Sequence, residues 1–366
     1  MIRRWSSVPL TLLVATAAVA CSDARRAPEG SPPEVAEEAP IRTVGLNSAL
    51  LERAVIRASA LPRLYSLLVW RQGEIETELY FRGRGPDTPA NIKSASKTII
   101  ATLIGIAIEE GHLEGLEQPI VPFFAEYLTP EQESERAGIT LRDLLSMQAG
   151  LESTSGRNYG AWVTSPNWVR YAITRPMVDQ PGGRMQYSTG TSHLLSAIIT
   201  ETTGMSTYEY AREKLAEPLG IELLPWTTDP QGIYFGGNEM RMTPRQLLRF
   251  GELFLRGGEY GGQRIISQEW IRESWIPRTQ SRFNSHRYGY GWWIKEARGH
   301  SVYFAWGYGG QYLFLVPDLE LIVVMTSAAD VSRDGGHLRV LHSILDDDLI
   351  PAAERGARVA VHRPLH

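Results

Sequence analysis

The chain has 366 residues, a formal net charge of −4 and a single cysteine; 43% of its residues are hydrophobic and 21% charged. Its length allows a large core in one big domain or two. The charge balance excludes a broad nucleic-acid-binding surface, and one cysteine excludes an internal disulfide.

In chain order, the first element reads as an export signal over residues 1–20. Arg3 and Arg4 precede an apolar stretch from about Val8 to Ala20, and Cys21 follows. The segment "AVAC" resembles a bacterial lipobox, although Ala18 stands where leucine is usual. The expectation is that cleavage leaves Cys21 as a lipid-bearing N-terminus on the periplasmic side of a bacterial envelope. The alternative is an ordinary signal peptide with a chance cysteine. Residues 21–44 are rich in Pro, Glu, Ala and Ser and predict a disordered tether from the membrane.

Residues 45–352 read as one folded domain, with 353–366 as a tail. A helix is expected near 46–59, then strands over 63–73 and 74–83 joined through Gln72 and Gly73 as a hairpin. The stretch "SKTIIATLIGIAIEEGHLEGL" is apolar on nearly every side and predicts a buried helix ending at Gly111. From about 115 to 270 the signals are helical, with long loops. Then "YGYGWWIKEA", "HSVYFAWGYGG", "QYLFLVPD" and "LELIVVMTSA" alternate and are rich in aromatic and β-branched residues, as consecutive antiparallel strands are. A helix over 335–349 closes the domain. The order implies an α+β fold: one antiparallel sheet built from both ends of the chain, flanked by helices, with an all-α region inserted.

Four lysines stand against 33 arginines, and two of the four fall in "NIKSASKTII". Lys97 follows Ser94 by three residues, one helical turn on the same face. A serine hydroxyl needs a neighbouring base to become a nucleophile, and a buried lysine can be that base, whereas arginine cannot. The competing reading makes Ser94 a helix cap and Lys97 a solvated side chain. Lys93 has no catalytic spacing and reads as a surface charge. Tyr187, in "QPGGRMQYSTGTSHLL", sits in a polar turn before an apolar helix, placed either to relay a proton or to pack on the core. Gly307, Gly309 and Gly310 open a strand, which leaves backbone N–H groups able to stabilise an oxyanion, or marks a bulge. There is no G-x-S-x-G elbow, which argues against a Ser-His-Asp α/β-hydrolase, and no H-E-x-x-H pair or phosphate loop, so no cofactor or metal is expected. His337 and His342 are expected on the surface of the last helix.

Together, the order and spacing of these motifs resemble the serine β-lactamase and penicillin-binding protein superfamily, in its class C β-lactamase-like branch. The likeness runs from about 45 to 350 and includes "LRDLLSMQAGL", "MTPRQLLRFGELFLRGGEYGGQRIIS" and "GYGGQYLFLVPDLELIVV". Within that branch it is nearest to 6-aminohexanoate-dimer hydrolases and carboxylesterases. The resemblance implies a β-lactamase/transpeptidase-like fold. It makes Ser94 the nucleophile, Lys97 its base and Tyr187 the tyrosine of the Tyr-x-Asn box, with the backbone N–H groups of Ser94 and Tyr308 as oxyanion hole. Two departures stand out: Thr189 occupies the asparagine position, and "FAWGYGG" replaces the Lys-Thr-Gly box. The missing lysine argues against efficient penicillin turnover and leaves small esters and amides as substrates. The expected cleft wall is Tyr159, Trp162, Trp306, Tyr308 and Gly309. A substrate carboxylate would need an arginine that the sequence does not single out. The alternative function is a penicillin sensor or D-Ala-D-Ala peptide-binding protein that is acylated without turnover.

Overall fold

Both ends of the chain meet in one eight-stranded antiparallel sheet. In chain order, the strands of the structure, a computed structural model that describes residues 45–329 and 335–356, are β1 Leu64–Arg71, β2 Glu74–Tyr80, β3 Ala90–Asn91, β4 Arg241–Met242, β5 Glu259–Tyr260, β6 Gln263–Arg264, β7 Thr279–Gln280, β8 Arg287–Tyr288, β9 Trp293–Ala297, β10 His300–Gly307, β11 Gln311–Val316 and β12 Leu321–Ser327. The sheet order is β2-β1-β12-β11-β10-β9-β8-β7; β3 pairs with β4 and β5 with β6 in two small ribbons. The β1–β2 turn holds Gln72 and Gly73 at φ 49° and 98°, the left-handed pair that a two-residue hairpin loop requires.

The two-residue period sends alternate side chains to opposite cores. Leu68, Trp70, Leu313, Leu315, Ile322 and Val324 face the inserted helices, while Leu67, Val69, Phe314, Val323 and Met325 face the terminal ones. Helix α1, Ser48–Ser59, packs on the second face with the C-terminal helical run from Gly335–Ile344 through Leu345–Leu349 to Ile350–Arg355. That run continues past the end expected near 349. Helix α2, Ser96–Glu109, is buried from Ser96 to Ala107. Full burial of each Ile or Leu on it contributes roughly 1.5–3 kcal/mol. Such an all-round apolar helix must lie between layers, and α2 lies between the sheet and the helical region. Among the described residues no helix is long and apolar enough to cross a membrane.

The expected strand over "YGYGWWIKEA" is broken. The chain leaves the ladder after β8 and rejoins it at β9, with Gly291 at φ 76° between. The cause is α2: a Cβ on Gly291 would sit 2.8 Å from Ala101 Cβ and 3.0 Å from Thr98 Cα, and the Gly291 carbonyl accepts the Thr98 hydroxyl at 2.7 Å. The glycine-rich segment also differs from its reading. Gly307 ends β10, and Tyr308, Gly309 and Gly310 form the turn into β11. The predicted leader, Cys21 and the tether lie outside the described residues, as does most of the tail.

Candidate active site

Ser94 lies in a single 3₁₀ turn, Lys93–Ala95, that runs straight into α2. Lys93 adopts φ 52°, a strained conformation for a residue with a side chain, and the Asn91 side chain holds it by accepting the Lys93 N–H at 3.0 Å. The end of β10 presses on the same turn: a Cβ on Gly307 would come 2.0 Å from the Ile92 carbonyl oxygen. Only glycine permits that approach, and it brings Tyr308 beside the start of α2. Among the described residues no hydrogen bond takes up the Tyr308 N–H.

Lys97, one turn into α2, is 3% exposed. Its Nζ donates to Ser94 Oγ at 2.9 Å, to the Gly237 carbonyl at 2.8 Å and to Thr189 Oγ1 at 3.3 Å. Among the described residues no carboxylate contacts it. Burial without a counter-charge pushes its pKa down to about 7, so a large fraction is neutral near physiological pH. The Tyr187 ring centre is 5.2 Å from the same Nζ. Burial raises the Tyr187 phenol to about 12, against a hydrogen bond with Ser94 that pulls the other way, so the phenol keeps its proton. Tyr187 packs against Trp293, ring centres 5.4 Å apart, and Trp293 packs at 5.4 Å on Trp306.

The segment carrying Tyr187 is stitched to the loop at 153–155. Ser153 Oγ donates to the Tyr187 carbonyl at 2.6 Å; Ser188 Oγ accepts the Thr154 N–H at 3.1 Å; Ser155 Oγ accepts the Thr189 N–H at 2.9 Å. Ser188 also caps the Thr189–Thr203 helix. Thr189 therefore offers Lys97 one hydroxyl oxygen, where the asparagine of a Tyr-x-Asn box would offer an amide.

The structure thus brings Ser94, Lys97 and Tyr187 together, with Tyr308 at the adjoining turn and 46% exposed. Tyr159 is half-buried, and its hydroxyl accepts the Asn238 amide at 2.9 Å. Trp306 is half-buried against Tyr312 and Trp293. Gly309 has φ 87°, and its Cβ position is filled by Ala328 and Ala329; the turn accounts for the glycine. Trp162 corrects the expected cleft wall. It is fully buried, donates Nε1–H to the Trp168 carbonyl at 3.0 Å and packs on Trp168, His193 and Phe235. Indole carries more apolar area than any other side chain, and the helical region takes it as core.

Two histidines read as surface residues are packed inward, and Lys93 stays partly exposed in an ion pair. Lys93 pairs with Glu239 at 3.0 Å, its side chain 25% exposed. His337 is 3% exposed, with Nε2 3.0 Å from Ser327 Oγ, because its helix packs on the sheet. His342 lies against the rings of Phe304, Tyr312 and Phe314, with Nδ1 3.0 Å from Lys295 Nζ.

The segment "FGGNEM", residues 235–240, is the part of the site that sequence reasoning missed. A Cβ on Gly236 would lie 2.2 Å from the Ser192 carbonyl oxygen, and one on Gly237 would lie 3.1 Å from Lys97 Nζ. The adjacent glycines were the available signal, since paired glycines ahead of a capped helix mark a close backbone approach.

A model of the Beta-lactamase family matches residues 63–344. The chain is 27% identical over 294 residues to the 6-aminohexanoate-dimer hydrolase of Paenarthrobacter ureafaciens, covering 72% of each. Among solved structures it is similar to a putative 6-aminohexanoate-dimer hydrolase from Bacillus anthracis, with TM-score 0.69, 22% identity and 83% and 81% of the two chains covered. It is also similar to a hydrolase with promiscuous acyltransferase activity, with TM-score 0.67, 17% identity and 81% and 98% covered. These likenesses agree with the β-lactamase/transpeptidase-like fold expected from the sequence.

Proposed function

The chain belongs to the Beta-lactamase family, whose members are serine hydrolases, and on that premise we propose that it cleaves small esters or linear amides through an acyl-enzyme on Ser94. The observation that carries this reading is the 2.9 Å contact between Ser94 Oγ and a buried Lys97 that has no carboxylate partner among the described residues. Neutral Lys97 takes the Ser94 proton as Oγ attacks the carbonyl carbon. The oxyanion is held by the N–H groups of Ser94 and Tyr308. The Tyr187 phenol gives its proton to the leaving oxygen or nitrogen, the C–O or C–N bond breaks, and the acyl group stays on Ser94. The phenolate recovers a proton from Lys97. Water then attacks the ester, with Lys97 again as base, and the acid leaves.

The choice of substrate rests on the missing Lys-Thr-Gly box and on the relatives. The strand reads "FAWGYGG", without the lysine that assists penicillin recognition, and aromatic walls favour apolar acyl groups. A relative named as a 6-aminohexanoate-dimer hydrolase and a structural neighbour named as a carboxylesterase support the same class. We expect kcat/KM for short esters or linear amides to exceed that for penicillins by at least about tenfold, or ~1.4 kcal/mol. The N-terminal sequence supports export and a lipid anchor on Cys21.

The test is a purified sample assayed with p-nitrophenyl esters, linear amides, penicillins, cephalosporins and D-Ala-D-Ala peptides, beside Ser94→Ala. Retained activity in Ser94→Ala removes the mechanism. A cephalosporin hydrolysed as well as the esters returns the chain to the β-lactamases, and a stoichiometric burst without turnover makes it a sensor.

A further inference from the structure

A second concave site lies beside the Lys93–Ala95 turn. It is a cavity of about 270 Å³ between β1, β12, the β3–β4 ribbon and the loop after β2. Neither Ser94, Lys97 nor Tyr187 lines it. The sheet order places β1 and β12 two to three strands from β10, and Tyr187 packs on Trp293 of β9. The cavity is therefore distinct from the acylation centre, though Lys93 reaches its wall.

Three cations face it: Arg84, Lys93 and Arg241. The carboxylates of the neighbourhood are already engaged. Glu239 takes Lys93 at 3.0 Å and the Asn91 amide at 2.7 Å. Glu78, to which the Tyr80 hydroxyl donates, is held by both arms of Arg245 at 2.6 and 2.8 Å. Among the described residues neither Arg84 nor Arg241 has a carboxylate partner. Both residues are exposed at the cavity wall. The Arg84 guanidinium lies 4.3 Å over the Tyr65 ring, and Arg241 is paired to Asn91 in the β3–β4 ribbon. Two guanidinium forks without counter-charges suit a planar carboxylate, which accepts them bidentately. Thr88 Oγ1 accepts the Gly85 N–H at 3.1 Å and keeps its own proton to donate. The remaining wall mixes the polar Ser66, Thr326 and Ser327 with an apolar stretch from Pro89, Ala90, Pro244 and the Tyr65 ring. An inorganic anion would leave that stretch wet, whereas an alkyl chain would cover it.

We propose that this cavity binds a short aliphatic carboxylate, with its anionic end on Arg84 and Arg241 and its chain on the apolar stretch. The same chemistry has two possible sources: the acid end of a substrate or product, or a separate small acid that acts as an effector. The inference stands apart from the acyl-enzyme mechanism, since Ser94 takes no part in it.

The test is calorimetric titration with hexanoate of the full-length protein, of Ser94→Ala and of Arg84→Gln/Arg241→Gln. Neither arginine belongs to the acylation centre, so the double variant should keep its circular dichroism and its rate on p-nitrophenyl acetate. Hexanoate should bind wild type and Ser94→Ala alike, at least about tenfold more weakly to the double variant, and hexanamide should not bind. Hexanoate inhibition of ester hydrolysis that the double variant relieves identifies a substrate or product tail; binding without such inhibition identifies an effector. The proposal is overturned if hexanoate fails to bind wild type, if binding survives the double substitution, or if inorganic phosphate binds as tightly.

Discussion

His193 Nε2 lies 3.0 Å from Asp229 Oδ2 with both side chains fully buried, and the other ring nitrogen, Nδ1, accepts the N–H of Gly236 at 3.3 Å. An acceptor at Nδ1 assigns the ring proton to Nε2, where it is donated to Asp229. Asp229 Oδ1 accepts the N–H groups of Gln231 and Ile233, both at 2.9 Å. The pair thus fixes the loop whose next residue, Gly237, accepts Lys97. Asp229→Asn keeps the loop acceptor but turns an N–H₂ toward Nε2, which flips the tautomer and breaks the Gly236 bond. We expect kcat/KM to drop by at least about tenfold with a stability loss of about 1–3 kcal/mol. Steady-state kinetics and urea melts would show it; unchanged kcat/KM would separate the loop from Lys97.

Lys97 should set the acid limb of the pH profile. Its folded pKa is lowered to about 7, so kcat/KM should fall about tenfold per pH unit below that value. Lys97→Arg should be inactive. The stability consequence has a definite sign. Between about 7 and the ordinary lysine range the unfolded chain binds the proton that the folded chain has released, so stability rises with pH across that window. Lys97→Met removes this dependence. Its gain in stability over wild type should be largest below about pH 7 and should shrink toward alkaline pH; a gain independent of pH contradicts a neutral, buried amine.

Tyr187→Phe tests the proton donor. The ring still packs on Trp293 and Tyr288, so Tm should hold, while kcat should drop by roughly 10²–10⁴. A loss below about threefold would assign proton delivery elsewhere.

Trp162 and Tyr308 should behave oppositely. Trp162→Ala empties a fully buried site and should cost about 3–5 kcal/mol of stability without changing the ratio of ester to lactam rates. Tyr308→Ala, at an exposed turn, should leave stability within about 0.5 kcal/mol and change that ratio. A shifted ratio in a folded Trp162→Phe protein would return Trp162 to the cleft wall.

Cys21 should be the first residue of the mature protein and carry lipid. Mass spectrometry of the membrane fraction decides this, and a product starting elsewhere with no lipid mass removes the anchor.

Local chemistry determined a good deal of this protein. A two-residue period and β-branched composition marked most sheet strands from both ends of the chain, and Gln72–Gly73 marked the hairpin turn, because strand pattern and turn conformation are short-range properties. The unbroken apolar surface of α2 made it a buried helix, and the three-residue spacing put Ser94 and Lys97 one turn apart. Tertiary structure decided what lies far apart in sequence. Nothing local tells that the Gly237 carbonyl, 140 residues on, accepts Lys97, or that His193 and Asp229 hold that loop. Residue type misplaced Trp162, His337 and His342, because an aromatic or imidazole ring reads alike in core, cleft and surface until its neighbours are known. The depressed pKa of Lys97 depends on the absence of a carboxylate around it, and only the packed fold creates that absence.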